Sequence, residues 1–321
     1  MIEIVALSEA MREVVRLATR VAVTDANVLV TGESGSGKDA LALFIHAHSR
    51  RARGAFVKID CAALPSELLE AELFGYERGA FTGATEAKPG RLEAAHKGTL
   101  VLDEIAHLST DAQAKLLRVI ERREFERLGG RRTVKVDARL LALTNVDLET
   151  AVKRRSFRED LFYRLNVVRI HLPPLAERRD DVRELARLFL KTYAAKHGRG
   201  VTGISDDALD LLDDYEFPGN VRELANMLER AVILANDAEV SASDLPEAVR
   251  ASAAQAKRGV RARRPTLAEL EADYIRETLS ATSGNKSEAA RLLGISRKNL
   301  YEKLARYDKG KAAGERLKDE D

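Results

Sequence analysis

The residues of this chain best suited to chemistry begin at Gly32-Glu33-Ser34-Gly35-Ser36-Gly37-Lys38-Asp39. Gly32 through Lys38 spells G-x-x-x-x-G-K between an apolar run, Val28–Val30, and a helix-like stretch from Ala40 to Ile45. A phosphate-binding P-loop requires that setting. Glycines let backbone N–H groups turn toward an anion, and the helix that follows adds its positive N-terminal end. Lys38 is expected to reach the β- and γ-phosphates of a nucleotide. The generic motif then places Ser or Thr on Mg²⁺; here the residue is Asp39. A carboxylate still serves a hard cation, directly or through water, so ATP and Mg²⁺ are the expected cofactors.

A second group lies at Thr99-Leu100-Val101-Leu102-Asp103-Glu104. An apolar strand ending in two acids is the Walker B pattern, with Asp103 on Mg²⁺ and Glu104 orienting or deprotonating the attacking water. The alternative is a strand followed by an acidic first helical turn; the P-loop upstream favours the functional reading. Asn145 follows a third apolar run, Leu141-Ala142-Leu143-Thr144. It reads either as a turn asparagine or as a group that senses the γ-phosphate or holds the water. Between the two acidic and basic motifs, Gly79-Ala80-Phe81-Thr82-Gly83-Ala84 follows a helix that includes Glu67–Leu73. Its glycines break regular structure. Phe81 has no periodicity that would bury it, so it sits either in the core of a hairpin or at the tip of a movable contact loop.

The elements that must position these groups follow from pattern. Residues 8–24 read as an amphipathic helix, with Met11, Val14, Val15, Ala18 and Val21 near helical spacing. Five short apolar runs, Val28–Val30, Phe56–Ile59, Leu100–Leu102, Leu140–Leu143 and Val167–Ile170, alternate with helical stretches. That alternation predicts an α/β fold with a mostly parallel sheet, and ligands in such sheets sit at the carboxyl ends of the strands. From Arg178 to Ala248 the pattern is wholly helical: Asp180–Lys191, Asp206–Tyr215, and Val221–Leu234 after a Pro218-Gly219 break.

Composition bounds the rest. The 321 residues allow two or three domains. The net charge is +2, but from Ala251 onward 16 basic residues face 11 acidic ones, leaving +5 there and −3 elsewhere. A basic C-terminal segment points to an anionic partner. The single cysteine, Cys61, excludes an internal disulfide and reads as a small core residue in a reducing compartment. No apolar run approaches membrane-spanning length, and Glu3, Glu9, Arg12 and Glu13 break a signal-peptide pattern. A cytoplasmic protein with no membrane partner is expected. In the C-terminal segment Leu267, Leu270, Tyr274 and Leu279 fall at helical intervals. Asn285–Leu293, a Gly294-Ile295-Ser296 turn and a basic helix from Arg297 to Leu304 then form a helix-turn-helix pattern. Ala290, Leu293, Ile295, Leu300 and Leu304 are expected to pack the two helices. Lys286, Arg297, Lys298, Asn299, Tyr301 and Lys303 are expected to face DNA.

Gly79–Ala84 is the full GAFTGA signature. With Cys61-Ala62-Ala63-Leu64-Pro65, Glu72-Leu73-Phe74-Gly75, Phe157–Asn166 and Pro218–Leu224, it makes the chain resemble the bacterial enhancer-binding proteins, AAA+ activators of sigma-54 RNA polymerase. The resemblance covers about residues 5–250 and resumes at about 266–308. It implies an AAA+ α/β ATPase subdomain (1–172), a helical lid (173–248), a flexible basic linker (249–265), a Fis-type helix-turn-helix domain (266–308) and a charged disordered tail (309–321). It further implies that Arg158 and Arg164 are arginine fingers reaching a neighbouring subunit's nucleotide. Arg222 would be the sensor II arginine, and Gly79–Ala84 would touch sigma-54. Asp60 stands where many relatives carry an Asn that bonds the Walker B glutamate. An ionised carboxylate cannot donate, so that link is expected to loosen or to run through a shared proton or water.

The reading that results is a sigma-54-dependent activator. It dimerises on enhancer DNA, assembles into a ring, expected to be a hexamer, and remodels the sigma-54 holoenzyme at the cost of ATP. The alternatives are a DNA-binding regulator with a vestigial ATPase, or an AAA+ remodeller of another protein. No sensory segment precedes the P-loop domain in this sequence, so control by a trans-acting regulatory protein or by abundance, or a truncated chain, is expected.

Overall fold

The computed structural model describes residues 4–251, 271, 274–275, 277–279, 282 and 285–304. They fall into two units, one up to Ala253 and one from Ala254. The expected linker past residue 251, Thr266, Leu267, Leu270 and the tail after Asp308 lie outside the described residues.

In the first unit α1 (Glu9–Ala22) starts at Ser8, whose hydroxyl accepts from the Met11 N–H, an N-cap of the usual kind. There follow β1 (Val28–Thr31), α2 (Lys38–Ala47), β2 (Phe56–Asp60) and α3 (Ser66–Phe74). A small antiparallel ladder, β3 (Gly75–Tyr76) with β4 (Lys88–Pro89), and the short α4 (Arg91–Ala94) lead to β5 (Thr99–Asp103). Then come α5 (Thr110–Arg122), an antiparallel hairpin of β6 (Glu124–Glu126) and β7 (Thr133–Lys135), β8 (Arg139–Thr144), α6 (Leu148–Lys153), α7 (Glu159–Leu165) and β9 (Val168–His171). The central sheet is parallel throughout, in the order β2-β5-β8-β1-β9. β1, β5 and β8 are buried almost end to end, which is why they read as continuous apolar runs and not as alternating ones. Because β8 lies between β1 and β5, the P-loop, Asn145 and Asp103-Glu104 emerge side by side at one edge.

All five expected strands form. The first strand residue of β9 is Val168, and Val167 is exposed. Arg139, at the start of β8, is fully buried and ties the sheet to α1, donating to the carbonyls of Ala22 (2.8 Å) and Val21 (2.9 Å).

The helical part has its own core. Two 3₁₀ turns, Leu175–Glu177 and Arg179–Asp181, precede α8 (Val182–His197), α9 (Asp206–Asp213) and α10 (Asn220–Leu234). The helix expected over Asp180–Lys191 thus starts later and ends a turn and a half later, at a left-handed Gly198 cap. Short strands β10 (Gly203–Ile204) and β11 (Glu239–Val240) pair beside it. Residues 247–251 are helical and Val249 is buried in the core of this part, so the folded lid runs past the expected boundary at 248.

In the second unit α11 (Lys286–Leu292) is capped by Asn285, and residues 297–304 form the next helix after the Gly294 turn. Ala290 and Leu300 are buried and Leu293, Ile295 and Leu304 pack on them as expected, joined by Ala289 and Ile275. Of the residues at helical intervals, Leu279 packs on this core while Tyr274 faces solvent, and its neighbour Ile275 is buried. Among the described residues no helix is long and apolar enough to cross a membrane.

The two parts of the first unit are clasped by Asp181. Its fully buried carboxylate accepts from the Leu7 N–H (2.6 Å), the Ser8 N–H (2.9 Å) and the Ser8 hydroxyl (2.9 Å). Removing the acceptor leaves buried donors unpaired, which costs far more than the bond itself contributes. Asp181→Ala is therefore expected to destabilise the unit by about 2–4 kcal/mol, measured by urea unfolding; a change below about 0.5 kcal/mol would mean that water replaces the carboxylate.

Candidate functional site

At the edge where β1, β8 and β5 end, a cleft of ≈ 120 Å³ is lined by Ser34, Gly35, Gly37, Lys38 and Asp39 from the P-loop, Asp103 and Glu104 from β5, and Arg222 from α10. These residues come from three separate stretches of sequence, and the fold brings them together. Gly37 caps α2 in a left-handed conformation (φ 107°), so Lys38 is its first residue. The Lys38 side chain is 7% exposed and folds back onto its own loop, donating to the carbonyls of Gly32 (2.9 Å) and Glu33 (3.0 Å). Burial pulls its pKa below the usual lysine range, opposed by Glu104, Asp103 and Asp39. Glu104 lies 4.0 Å from that ammonium and accepts from the Asn145 backbone N–H at 3.2 Å. The Ser36 hydroxyl is buried and has no hydrogen-bond partner among the described residues, the unspent polar capacity expected beneath an anion.

The cation-binding acids also converge. Asp103 uses Oδ1 to accept from the Glu104 N–H (3.0 Å) and offers Oδ2 to Lys58 Nζ at 2.8 Å. Asp39 offers Oδ1 to the same ammonium at 2.5 Å. Two hard oxygens, one from the first turn of α2 and one from the end of β5, around one positive charge are a donor set that suits Mg²⁺. Asp60 does not touch Glu104: its Oδ1 accepts from the Ala62 N–H at 2.9 Å. The two carboxylates accept from different backbone partners, Asp60 from Ala62 and Glu104 from Asn145. Cys61, between them, is buried, and its N–H donates to the Asp103 carbonyl (2.9 Å). Burial, with Asp60, Asp103 and Glu104 adding to it, pushes its thiol up to about 12, so it is no nucleophile.

The lid meets the P-loop through three side chains, of which the sequence marks only Arg222. Asn220 is buried at positive φ (54°). Its Nδ2 donates to Glu33 Oε2 (2.8 Å) and its Oδ1 accepts from the Leu175 N–H (2.7 Å). Arg222 donates to Ser34 Oγ at 3.0 Å, and the buried Arg178 donates to the Ser36 carbonyl. The signal for Asn220 was its place after Gly219, since asparagine tolerates the left-handed region that starts such a helix; Arg178 carried none.

Gly79–Ala84 forms a loop beyond β3, exposed at Phe81–Gly83 and buried at Ala84, closed by a Gly79 N–H to Ala84 carbonyl bond of 2.8 Å. Gly79 and Gly83 take φ of 83° and 103°. Phe81 is 42% exposed and its ring meets that of Tyr76 in a T-shaped contact, ring centroids 4.9 Å apart. Phe81 is thus at the surface and not in the core of a hairpin. Arg127, beside the β6–β7 turn, braces the loop's stem by bonds to Glu77 (3.1 Å) and Glu93 (2.8 Å). Arg158 and Arg164 stand outside the cleft, exposed and paired with Asp160 (2.7 Å) and Glu121 (3.0 Å).

The chain matches the Sigma-54 interaction domain over residues 4–171, the AAA+ ATPase lid domain over 176–262 and the Fis-family bacterial regulatory protein domain over 266–307. It is 45% identical over 306 residues to the regulatory protein AtoC of Escherichia coli, covering 94% of this chain and 66% of that protein. It is 48% identical over 300 residues to the transcriptional regulatory protein ZraR of Klebsiella oxytoca, covering 93% and 68%. The chain belongs to the sigma-54-dependent transcriptional activators. The crystal structure of NtrX from Brucella abortus in complex with ATP is similar at a TM-score of 0.71 and 36% identity, covering 95% of this chain and 69% of that one. This chain spans about two thirds of the length of these relatives.

In this activator's helix-turn-helix, Arg297, Lys298, Asn299 and Tyr301 are exposed on the second helix. Lys286 places its ammonium 4.9 Å from the centre of the Tyr301 ring. Lys303 is engaged by Glu271 at 2.6 Å.

Gly35 shows how tightly the lid is seated. It sits at φ +76°, and a Cβ there would fall 2.4 Å from the Gly219 carbonyl oxygen and 3.1 Å from Arg222 Cβ. Such overpacking costs about 1–3 kcal/mol. Gly35→Ala is expected to weaken binding of a fluorescent nucleoside triphosphate about 5- to 100-fold; unchanged affinity would mean that lid contact with the P-loop does not contribute to the site.

Proposed function

We propose that this activator binds ATP with Mg²⁺ at the Lys38–Asp103–Glu104 cleft and hydrolyses it between the subunits of a ring. It spends that energy on remodelling sigma-54 RNA polymerase at promoters whose enhancer it holds as a dimer in the cytoplasm. The observation that carries the reading is the composition of the cleft. One chain supplies a P-loop lysine, two carboxylates at a strand end and a lid arginine, while Arg158 and Arg164 point to solvent elsewhere. A site that binds in one subunit and takes its guanidinium from the next makes hydrolysis depend on assembly.

In the bound state Lys38 exchanges the carbonyls of Gly32 and Glu33 for phosphate oxygens. Mg²⁺, held by Asp103 and Asp39, would supply charge neutralisation at the β- and γ-phosphates. Glu104, oriented by the Asn145 N–H, aligns the attacking water and accepts its proton as the bond to the γ-phosphorus forms and ADP leaves. Arg222 follows the nucleotide through its hold on Ser34, and so carries the nucleotide state into the lid.

The route to the loop runs through β2. Movement of Asp103 is felt at Cys61 through the 2.9 Å bond between its N–H and the Asp103 carbonyl. α3 begins at Ser66 and ends at Phe74, directly before the stem of the Phe81 loop. A short rigid helix between a strand end and a glycine-flanked loop suits a two-state switch that phosphate contacts bias. On DNA, Arg297, Lys298 and Asn299 lie at the start of the second helix, where base edges are read, and Lys286 suits a phosphate.

The test is ATP-dependent open-complex formation by sigma-54 holoenzyme. Thr82→Ala is expected to hydrolyse ATP at near the wild-type rate and open no promoter. Glu104→Gln is expected to bind ATP and lose about 10²- to 10⁴-fold in turnover. A wild type that hydrolyses ATP without engaging sigma-54 points to another remodelling substrate; turnover unaffected by Glu104→Gln points to a regulator with a vestigial ATPase.

A further inference from the structure

Lys58 belongs to none of the motifs above, yet it lies at the centre of the acidic side of the cleft. It sits on β2 opposite Val101 of β5, two residues before Asp60, which pairs with Asp103. Its ammonium spans the P-loop helix and the Walker B strand, 2.5 Å from Asp39 Oδ1 and 2.8 Å from Asp103 Oδ2. Its side chain is 35% exposed. Burial works against its charge, and the hydrogen bonds and charges of Asp103 and Asp39 outweigh that and hold it above the usual lysine range.

The position has a consequence for metal binding. Asp103 Oδ1 is already committed to the Glu104 N–H. Oδ2 is the oxygen without a backbone partner, the freer one to serve a cation, and it is the one that Lys58 engages. The same ammonium engages Asp39, the other acid suited to the metal. A unit positive charge within 3 Å of both carboxylates cancels much of the field that would draw in a divalent ion. We propose that Lys58 is a built-in counter-ion that competes with the divalent cation for Asp39 and Asp103, so that the metal enters only together with the triphosphate. Without nucleotide the ammonium keeps the two acids together and screens them from free Mg²⁺. With nucleotide, the added negative charge shifts the balance toward the divalent ion, and the ammonium gives up both acids to it. Lys58 is a positioning residue on this account. It touches neither the reacting phosphorus nor the water, and it acts through the two acids. The inference rests on the reading that Asp103 and Asp39 serve the metal.

The experiment measures Mn²⁺ binding to the whole chain by the loss of the free-ion EPR signal, with and without a non-hydrolysable ATP analogue. Lys58→Met and Lys58→Gln remove the charge, Lys58→Arg keeps it, and melting curves confirm that each variant is folded. In nucleotide-free protein, Lys58→Met and Lys58→Gln are expected to bind Mn²⁺ at least tenfold more tightly than wild type, and Lys58→Arg to remain as weak as wild type. A gain of metal affinity on removing a side chain is not what damage to the fold produces. Equal or weaker Mn²⁺ binding by either folded neutral variant overturns the proposal. Asp103→Asn separates the two levels. If it leaves Mn²⁺ binding with the analogue unchanged in wild type, the metal assignment fails and this inference with it. If it lowers that binding while the neutral Lys58 variants gain nothing, only the counter-ion role fails.

Discussion

A buried lysine ammonium with no fixed carboxylate of its own is the constraint on which this structure turns. Lys38 is carried inside by the first turn of α2, where burial works against its charge. It settles on two carbonyls of its own loop, which are good acceptors but neutral, while Glu104 stays at 4.0 Å. An ammonium satisfied in this way gives up its partners easily for phosphate oxygens, because neutral hydrogen bonds are weaker than charge-assisted ones. The sheet order serves that need. Only with β8 between β1 and β5 do the loop, the asparagine and the acids emerge at one edge.

Two kinds of joint hold the surrounding parts, and they differ in character. The clasp of Asp181 on Leu7 and Ser8 is fully buried and resists opening. The contacts of the lid with the P-loop, made by Asn220, Arg222 and Arg178, go mostly to loop carbonyls and side-chain oxygens. Those loop groups are the ones a phosphate would rearrange. The lid is thus anchored at its base by a carboxylate remote from the nucleotide cleft, and seated at its face on loop groups that a bound phosphate would engage.

Most of the fold could be read from the chain. The five strands announced themselves as apolar runs because a parallel sheet is buried on both faces, and the chemical groups lay at strand ends as such sheets require. What escaped were side chains whose roles depend on partners distant in sequence. Lys58 reads as an ordinary polar residue of an edge strand until Asp39 and Asp103 are brought to it. Asn220 reads as part of a helix start until Glu33 appears 187 positions away. Ile275 is buried beside an exposed Tyr274 because spacing alone cannot order adjacent apolar residues on a helix. Periodicity leaves Phe81 open between core and surface; its exposure depends on the glycine-flanked turn that carries it.

Cys61 has a practical consequence of a different kind. It is the only cysteine in the chain, and it is both enclosed and held as a neutral thiol. Native protein therefore offers no competing sulfur to a maleimide or iodoacetamide. A cysteine placed at an exposed position of the Phe81 loop, or on the outer face of α10, would be the sole reactive handle. Spin labels or dye pairs could then report distances between loop and lid without stripping out the native residue or disturbing the strand end it supports.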